Sequence, residues 1–229
     1  MWLRTQTLIR VPGSNMQIKN LRGFYQINDQ EYRSVTNILK VISTGDGLLH
    51  WYGQHGFDGA QRLMKEAGER GSSVHQGIDM YLKGKIKDFD LLPLEIKVRC
   101  ETIKKWIDTI KPKVIDTERI VWSDRYRYAG TLDTLCMIKN DYCIVDWKNT
   151  SGIYLTHFIQ QAAYAKALKE REGIKVKRLI IVRPVINNEN TENTVEVQER
   201  NDVVKLFRAF KSAQVLDMFM HPRSAMRIK

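Results

Sequence analysis

The stretch GTLDTLCMIKNDYCIVDWKNT, residues 130–150, places three charged residues in two runs that otherwise have the composition of β-strands. Asp133 lies in the first run, and Asp146 and Lys148 lie at the end of the second. If the runs form a hairpin around Asn140-Asp141, a two-residue loop sets Asp133 opposite Lys148 and diagonal to Asp146. Because side chains alternate faces, this loop or a four-residue loop puts all three on one face. A three-residue loop would turn Asp133 to the other face.

Two clustered carboxylates and an ammonium group are the components of a metal-assisted hydrolytic site. The carboxylates repel each other, and near a core each raises the pKa of the other unless a cation lies between them. Oxygen ligands of this kind suit Mg²⁺ or Mn²⁺, and Mg²⁺ commonly shares a substrate phosphate. Lys148 could then activate a water or neutralise charge on a phosphorane oxygen. The alternative is structural: a buried Asp–Lys ion pair with the second Asp on the surface.

Helical segments on either side of the hairpin add polar candidates. In ERGSSVHQGIDMYL, His75 shares a helix face with Ile78 and Leu82, which directs the imidazole toward the core. A histidine there is commonly a hydrogen-bonded packing residue, but beside a carboxylate pair it becomes a candidate metal ligand. In HFIQQAAYAKAL, Gln160 and Tyr164 lie one helical turn apart. On their own they would be polar residues of a half-solvated helix.

The order of predicted elements indicates a mixed α/β (α+β) fold. An N-terminal strand hairpin at Pro12-Gly13 and a short helix precede two helical stretches broken near Gly68 and Gly71. Pro93 opens the next helix and Pro112 ends it. There follow the strands ERIVWS, YAGTLDTLCMI and YCIVDW, a helix from about 155 to 170, a buried strand RLIIVRPV, an edge strand TVEVQ and a last helix capped by Asn201. We expect a central mixed β-sheet flanked by helices, with an N-terminal β-hairpin and helical extension.

The chain has 229 residues, 43% of them hydrophobic, and contains no linker or repeat that would divide it. We therefore expect one domain, residues 1–229. Within it, residues 1–33 would form N-terminal strands, residues 34–112 a helical region, and residues 113–229 the core that carries the charged residues.

The charge balance points to a polyanionic partner. A formal net charge of +11 and a pI near 9.6 exceed what solubility requires, which favours nucleic acid. Composition alone leaves DNA, RNA and an acidic membrane open. Three cysteines without a C-x-x-C pair argue against a disulfide framework and against a zinc or iron–sulfur cluster, so we expect a reducing compartment.

The sequence has no run approaching about 18 apolar residues and no apolar block of a secretory signal, so no membrane association is expected. Residues 1–28 carry basic residues and no acid, as some organelle transit peptides do, but their pattern favours a strand hairpin. The expected location is the cytoplasm of a bacterial or phage-infected cell, with the mitochondrion as the alternative.

Four short motifs, taken in order, resemble those of a known nuclease family. GSSVH at 71–75, GTLD at 130–133, DWK at 146–148 and QQAAY at 160–164 are similar to the series G-x-x-x-H, G-x-x-D, (D/E)-x-K and Q-x-x-x-Y of the RecB-type branch of the PD-(D/E)XK nucleases. Within this branch the chain resembles the exonucleases of mitochondrial genome maintenance and small phage and bacterial exonucleases. The resemblance covers roughly residues 24–220 and implies a restriction-endonuclease-like core.

The resemblance also implies roles for individual residues. His75, Asp133 and Asp146, with the main-chain carbonyl of Trp147, would bind Mg²⁺ or Mn²⁺, and Lys148 would orient or activate the water. Many family members have Glu where this chain has Asp146, so the reach to the metal is shorter here. The candidate substrate contacts are Gln160, Tyr164, Glu118, Thr36, Ser73 and Arg70. The cysteine cluster of iron–sulfur relatives is absent.

The expected function is metal-dependent hydrolysis of DNA. By family resemblance the chain is an exonuclease that prefers single-stranded DNA with a free end, acting in replication, repair or recombination. No P-loop motif is present, so we expect no nucleotide cofactor, and any unwinding would come from a partner helicase or recombination protein. The alternatives are a structure-selective endonuclease on the same fold and a DNA-binding module without catalysis. The complete set of Asp133, Asp146 and Lys148 argues against the second.

Overall fold

The computed structural model describes residues 8–10, 17–21, 23–42, 47–187 and 192–222. The first half contains β1 Leu8–Arg10, β2 Gln17–Leu21, β3 Phe24–Ile27, β4 Gln30–Ser34, α1 Val35–Ile38 with a 3₁₀ turn Leu39–Val41, α2 Gly47–Leu82 and α3 Leu94–Ile110. The second half contains β5 Lys113–Ser123, β6 Tyr128–Ile138, β7 Asp141–Trp147, α4 Leu155–Glu172, β8 Val176–Val185, β9 Thr194–Arg200 and α5 Val203–Met220. The predicted turn at Pro12-Gly13 lies outside the described residues.

The described strands form one mixed sheet in the order β1-β2-β3-β4-β6-β7-β8-β9, with β5 on the other edge of β6. The pairs β4–β6 and β7–β8 are parallel and the others are antiparallel. This confirms the predicted fold class of a central mixed sheet flanked by helices. None of the described helices combines the length and hydropathy that crossing a bilayer requires.

Two apolar clusters cover the two faces of the sheet. In β7, Ile144 packs with residues of α4 and α5, whereas Cys143 and Val145 pack with α2 and α3. Adjacent strand residues point to opposite faces, so the two helical pairs lie on opposite sides of the sheet. The three cysteines of the chain are reduced and buried, and Cys136 lies directly opposite Cys143.

The predicted break in the second helical region was misplaced. Helix α2 continues through Gly68 and Gly71, and its backbone leaves helical geometry at Gly56, where φ is 64° and ψ is 166°. A glycine in an exposed helix costs only about 1 kcal/mol relative to alanine, which the flanking helix formers offset. The change of direction at Gly56 needs a positive φ. The kink at Gly56 turns the helical segment before it back toward the segment after it, and Tyr52 Oη donates to Met64 Sδ at 3.4 Å.

The hairpin of β6 and β7 differs from the prediction by one turn residue. Its two-residue loop is Lys139-Asn140, with φ of 50° and 66°, and Ile138 pairs with Asp141. Positive φ at both loop positions is typical of a type I′ turn. The register therefore shifts by two residues, and continuing it past Thr134–Val145 puts Asp133 directly opposite Asp146. The predicted pairing of Asp133 with Lys148 was wrong, but the two aspartates still share a face.

Other predicted boundaries hold to within a few residues. Helix α3 starts after Pro93 and ends at Ile110, and the next residue, Lys111, has a left-handed backbone just before Pro112. Helix α4 extends to Glu172 rather than to 170. The residue before α5 is Asp202 rather than Asn201. Strand β9 lies at the edge of the sheet, as predicted for TVEVQ.

A buried ion pair joins the N-terminal strands to the last helix. Arg33 of β4 donates through Nε and Nη2 to the Asp217 carboxylate of α5 at 2.9 and 3.0 Å, and the side chains are only 10% and 4% exposed. Two parallel bonds of this kind fix the relative orientation of the two groups.

Replacing Asp217 by alanine is expected to lower the free energy of unfolding by about 3–5 kcal/mol, because Arg33 would keep a buried charge without a partner. Urea unfolding followed by circular dichroism measures the change. The matched control is Glu192→Ala, which removes the exposed partner of Lys105 and should have little effect. An equal loss in both variants would contradict the structural role of the buried pair.

Candidate metal centre

The candidate site lies where β6 changes its neighbour in the sheet. On one edge β6 pairs with β4 at Tyr128 and Ala129 and with β7 from Thr134 onward. Residues 130–133 lie between these two neighbours. The GTLD motif therefore borders a fork in the sheet, where the end of β7 and the chain after it can approach β6.

The two aspartates meet at this fork. Asp133 Oδ2 accepts a hydrogen bond from the backbone N–H of Trp147 at 3.0 Å, which connects it to the end of β7. Asp146 is 5% exposed, and its Oδ2 lies 2.8 Å from Lys148 Nζ. The strand register, continued by one residue, sets the two aspartates opposite each other, and the charge of Asp133 raises the pKa of Asp146. The structure thus brings together the three charged residues that the sequence places on one face.

Helix α2 brings His75 to the same point. Val74 and Ile78 are buried against α3, and Thr117 Oγ1 of β5 donates to Asp79 Oδ1 at 2.5 Å, so both sides of this helical turn are anchored. His75 Nδ1 lies 3.2 Å from Asp133 Oδ2. The imidazole faces inward, as its shared face with Ile78 predicted.

The ionisable groups of the site lie so close together that they shift one another's pKa values. Burial would raise the pKa of Asp133, but the charge and hydrogen bond of His75 hold it below its usual range. Burial raises the pKa of Asp146 well above its usual range; the Lys148 charge opposes the rise and Asp133 adds to it. Burial lowers the pKa of His75, but Asp133 outweighs it and brings the value to about 8. Two adjacent carboxylates oppose each other's ionisation, which is why Asp133 adds to the rise of the Asp146 pKa.

Glu118 of β5 also belongs to the cluster. Its carboxylate, the His75 imidazole and the Asp133 carboxylate offer ligand atoms within 4.8 Å of one another. Partial withdrawal from solvent, with the charge of Asp133, raises the pKa of Glu118 to about 7. Its backbone φ is 51°, which is uncommon for a non-glycine residue inside a strand. The sequence predicted a substrate contact for Glu118, and nothing in it signals this backbone geometry.

A cavity of about 520 Å³ opens beside the cluster, between α2 and β5. Its lining residues are Gly68, Gly71, Ser72, His75, Gln76, Asp79 and Glu118. Glycines and a serine leave room on the α2 side, so a ligand of nucleotide size can approach His75 and Glu118 from solvent.

Two further residues near the fork were not predicted from the sequence. His157, in the first turn of α4, has its pKa lowered to about 4 by burial and by the charge of Lys148, so it is neutral near pH 7. Tyr25 of β3 shares a hydrogen bond with Thr131, Oη to Oγ1, at 3.1 Å. The only sequence signal for His157 is its position three residues before Gln160, which is too weak to distinguish it from a surface histidine.

The predicted α4 residues lie on the face of the sheet opposite α2, the face that Ile144 and, by alternation, Asp146 share. Gln160 Nε2 donates to Tyr164 Oη at 2.8 Å. The Tyr164 ring packs directly on the backbone of Gly130, where a Cβ would lie 2.5 Å from Cε1 and 2.9 Å from Oη. This close approach gives a physical reason for glycine at the first position of the GTLD motif.

Replacing Gly130 by alanine is expected to displace Tyr164 and to destabilise the fold by about 1–3 kcal/mol, because the buried ring has no free space to move into. Thermal and urea unfolding measure the change. Gly68→Ala is the control, since no atom lies within 4 Å of the added methyl group and a gain of about 0.5–1 kcal/mol is expected there. A Gly130→Ala protein as stable as the wild type would show that the ring moves freely.

Three predicted substrate contacts have their partners elsewhere. Thr36 Oγ1 hydrogen-bonds Ser34 Oγ at 2.8 Å, Ser73 Oγ donates to a backbone carbonyl of its own helix, and Arg70 pairs with Glu95 at 3.3 Å. None of the three lines the cavity described above. Their role in substrate binding stays a prediction, as does the role of the Trp147 carbonyl.

The donor set fits a divalent cation. Asp146 Oδ2 is buried and accepts no well-oriented hydrogen bond, its close neighbour being the Lys148 ammonium. The Lys148 ammonium already faces this oxygen, so the case for a metal depends on the neighbouring acids and the imidazole. Carboxylate oxygens suit Mg²⁺ and Mn²⁺, and an imidazole nitrogen is better tolerated by Mn²⁺. Asp133, His75 and Glu118, whose ligand atoms lie within 4.8 Å of one another, therefore offer such an ion a ligand set. Asp146 is not part of this group, and its role as a metal ligand stays a prediction.

Comparison with family models and with curated proteins gives no match to this chain. Among solved structures, the crystal structure of SSO0001 is 14% identical, with 80% of this chain and 75% of that one covered and a TM-score of 0.39. LHK-Exo in complex with dAMP is 10% identical, with 86% and 95% covered and a TM-score of 0.41. The alkaline exonuclease LHK-Exo from Laribacter hongkongensis is 10% identical over the same shares, with a TM-score of 0.38. Scores this low establish no family.

Proposed function

We propose that this chain is a divalent-metal-dependent deoxyribonuclease of the PD-(D/E)XK type. The observation that carries the proposal is a pair of close contacts at the fork, His75 with Asp133 at 3.2 Å and Lys148 with Asp146 at 2.8 Å, on strands whose register sets the two aspartates opposite each other. The ordered motifs described above support the RecB-type branch. A structural ion pair would not need a second buried acid and an imidazole beside it.

The chain's residues divide the chemistry among them. Asp133, Asp146 and His75 would hold the cation, which supplies positive charge to the scissile phosphate when bound. Lys148, held by Asp146, would orient the attacking water and donate to a phosphorane oxygen as negative charge develops there. Burial lowers the pKa of Lys148, but the charges of Asp146 and Asp133 raise it. The net result is a pKa above the usual value for lysine. The ammonium form, which donates, is therefore the form present at neutral pH.

The finer assignment follows the family resemblance. We propose Mg²⁺ or Mn²⁺ as the ion, single-stranded DNA with a free end as the substrate, and exonucleolytic cleavage in replication, repair or recombination. Gln160, Tyr164 and Glu118 would steady the substrate, and a helicase or recombination protein would supply unwound DNA. We further propose that residues 1–229 act as one domain in the cytoplasm.

One gel assay tests this proposal. End-labelled linear single-stranded DNA, the matching duplex and a closed circular single strand are incubated with Mg²⁺, with Mn²⁺ or with EDTA. We expect digestion of the linear single strand that EDTA abolishes, with the circle intact. Digestion of the circle would replace the exonuclease by an endonuclease. Binding without any product under either metal would leave a DNA-binding module and overturn the enzymatic proposal.

A further inference from the structure

A second group of charged residues surrounds Tyr126, in the turn that joins β5 to β6. Three cationic groups lie over its ring: Lys211 Nζ at 4.9 Å, Arg125 Cζ at 5.4 Å and Lys166 Nζ at 5.7 Å from the ring centroid. They come from α5, from the turn and from α4. We call these four residues the Tyr126 cluster.

The aromatic ring is a fixed support for these cations. Phe207 packs edge-on against it at 5.3 Å, and Tyr128 lies nearly parallel at 6.5 Å. Gln214 Nε2 donates to the Tyr126 carbonyl at 2.6 Å, which ties the turn to α5. The negative face of a ring attracts cations, so it gathers the three groups but cannot neutralise them.

The acids near the cluster do not balance its charge. Lys166 pairs with Glu170 at 3.1 Å, but no acidic side chain of the described residues forms an ion pair with Arg125 or Lys211. Asp124, the acid within the turn, forms an ion pair with Arg171 at 2.6 Å. Long basic side chains commonly cover an aromatic ring with their stems. Here three cationic groups lie near one ring and only one of them, Lys166, has an acidic partner in the part of the chain that the structure describes. The cluster therefore carries a net positive charge that an anion could neutralise.

The cluster lies within reach of the candidate metal centre along two elements. Asp133 follows Tyr128 by five residues along β6, about 17 Å of strand. Lys166 follows Gln160 by six residues, about 9 Å along α4. At roughly 3.4 Å per nucleotide of a stacked strand, five or more nucleotides would connect the two places.

We propose that the Tyr126 cluster is a second contact for the phosphodiester backbone of the nucleic acid whose cleavage is proposed above, separate from the metal centre. The inference deepens that proposed function and rests on it for the identity of the ligand. A repeating phosphate chain fits best because one molecule can occupy both places, whereas a single small anion cannot. Phosphate contacts of this kind add affinity without reading sequence.

The test compares binding of single-stranded oligonucleotides of two lengths, a 4-mer and a 20-mer, to the full chain in EDTA. The test variant is Arg125→Gln with Lys211→Gln, both exposed positions. The control is Lys85→Gln with Lys87→Gln, which removes the same charge from an exposed segment after α2. Fluorescence anisotropy between 50 and 200 mM salt gives affinity and salt dependence, and thermal melting checks that both variants are folded.

For the 20-mer we expect the test variant to lose affinity and the slope of log K against log salt to fall by about 1.4, two contacts at about 0.7 each. The 4-mer, which is too short to span both places, should lose less affinity in the test variant than the 20-mer does. Equal effects of the test and control variants on the 20-mer would overturn the proposal, as would an equal loss with the 4-mer. Displacement of the 20-mer by poly-glutamate at equal charge would assign the cluster to acidic polymers and also overturn it.

DNA cleavage is measured separately from DNA binding, so the nuclease proposal and the Tyr126 cluster can fail independently. If the wild type binds the 20-mer in the expected manner but yields no product with Mg²⁺ or Mn²⁺, the nuclease assignment fails and the Tyr126 cluster stands. If the wild type cleaves DNA and the test variant binds as tightly as the control, only the cluster fails.

Discussion

Replacing Lys148 by alanine is expected to slow DNA cleavage by at least about a hundredfold, while the affinity for single-stranded DNA stays close to that of the wild type. The Lys148 side chain is 16% exposed, and its ammonium lies 2.8 Å from Asp146 Oδ2 at the end of β7. A group held there acts on the charge that develops during the reaction rather than on substrate binding. Single-turnover cleavage of an end-labelled strand, with anisotropy for binding, measures the two quantities apart.

The matched control for Lys148 is Lys169→Ala, an exposed lysine of α4 outside the fork. It removes the same charge and should leave turnover unchanged. Because Asp146 would lose its cation, a melting curve of Lys148→Ala in the presence of Mn²⁺ shows whether the variant is folded. Wild-type turnover by folded Lys148→Ala would remove Lys148 from the mechanism.

The second large effect is expected at Asp133. Replacing it by asparagine keeps the shape and the oxygen that can accept from the Trp147 N–H, but it removes the negative charge that faces His75. We expect Mn²⁺ affinity to fall by at least about tenfold, with loss of cleavage, because an amide oxygen is a much weaker ligand than a carboxylate. Isothermal titration with Mn²⁺ measures the affinity.

Asp58→Asn is the control for this experiment, because Asp58 is an exposed acid of α2 far along the helix from His75. An unchanged Mn²⁺ titration for Asp133→Asn would contradict its role as a ligand. Glu118→Gln extends the test, since its carboxylate lies within 4.8 Å of the His75 and Asp133 ligand atoms. A loss of Mn²⁺ binding at Glu118 alone would move the ion toward the cavity side of the cluster.

The elements that position the site were predictable because their signals are local. The helix after Pro93 and the alternating strands β6 and β7 follow from periodicity, and the shared face of Asp133 and Asp146 follows from parity. The register itself was not predictable. Asn140-Asp141 and Lys139-Asn140 are both plausible loops, and no local signal chooses between them. In the structure Asp141 pairs with Ile138 at the start of β7.

The features missed in the sequence depend on the tertiary environment. The chain turns at Gly56 and continues straight through Gly68, and local propensity ranks the glycines alike. The left-handed backbone of Glu118 is a strained conformation that only the surrounding structure can maintain. Strain at this point brings a third acid toward His75, which the residue spacing along β5 does not indicate.

The ion pair between Arg33 and Asp217 also affects how deletions of this chain would behave. Strand β4 joins β6 through only two residue pairs, so the N-terminal strands depend on their contact with α5 for part of their attachment. A shortened protein that ends before residue 217 would loosen the opposite terminus as well. The stability of a protein truncated within α5 therefore depends on how firmly the N-terminal strands stay attached as well as on the loss of the helix.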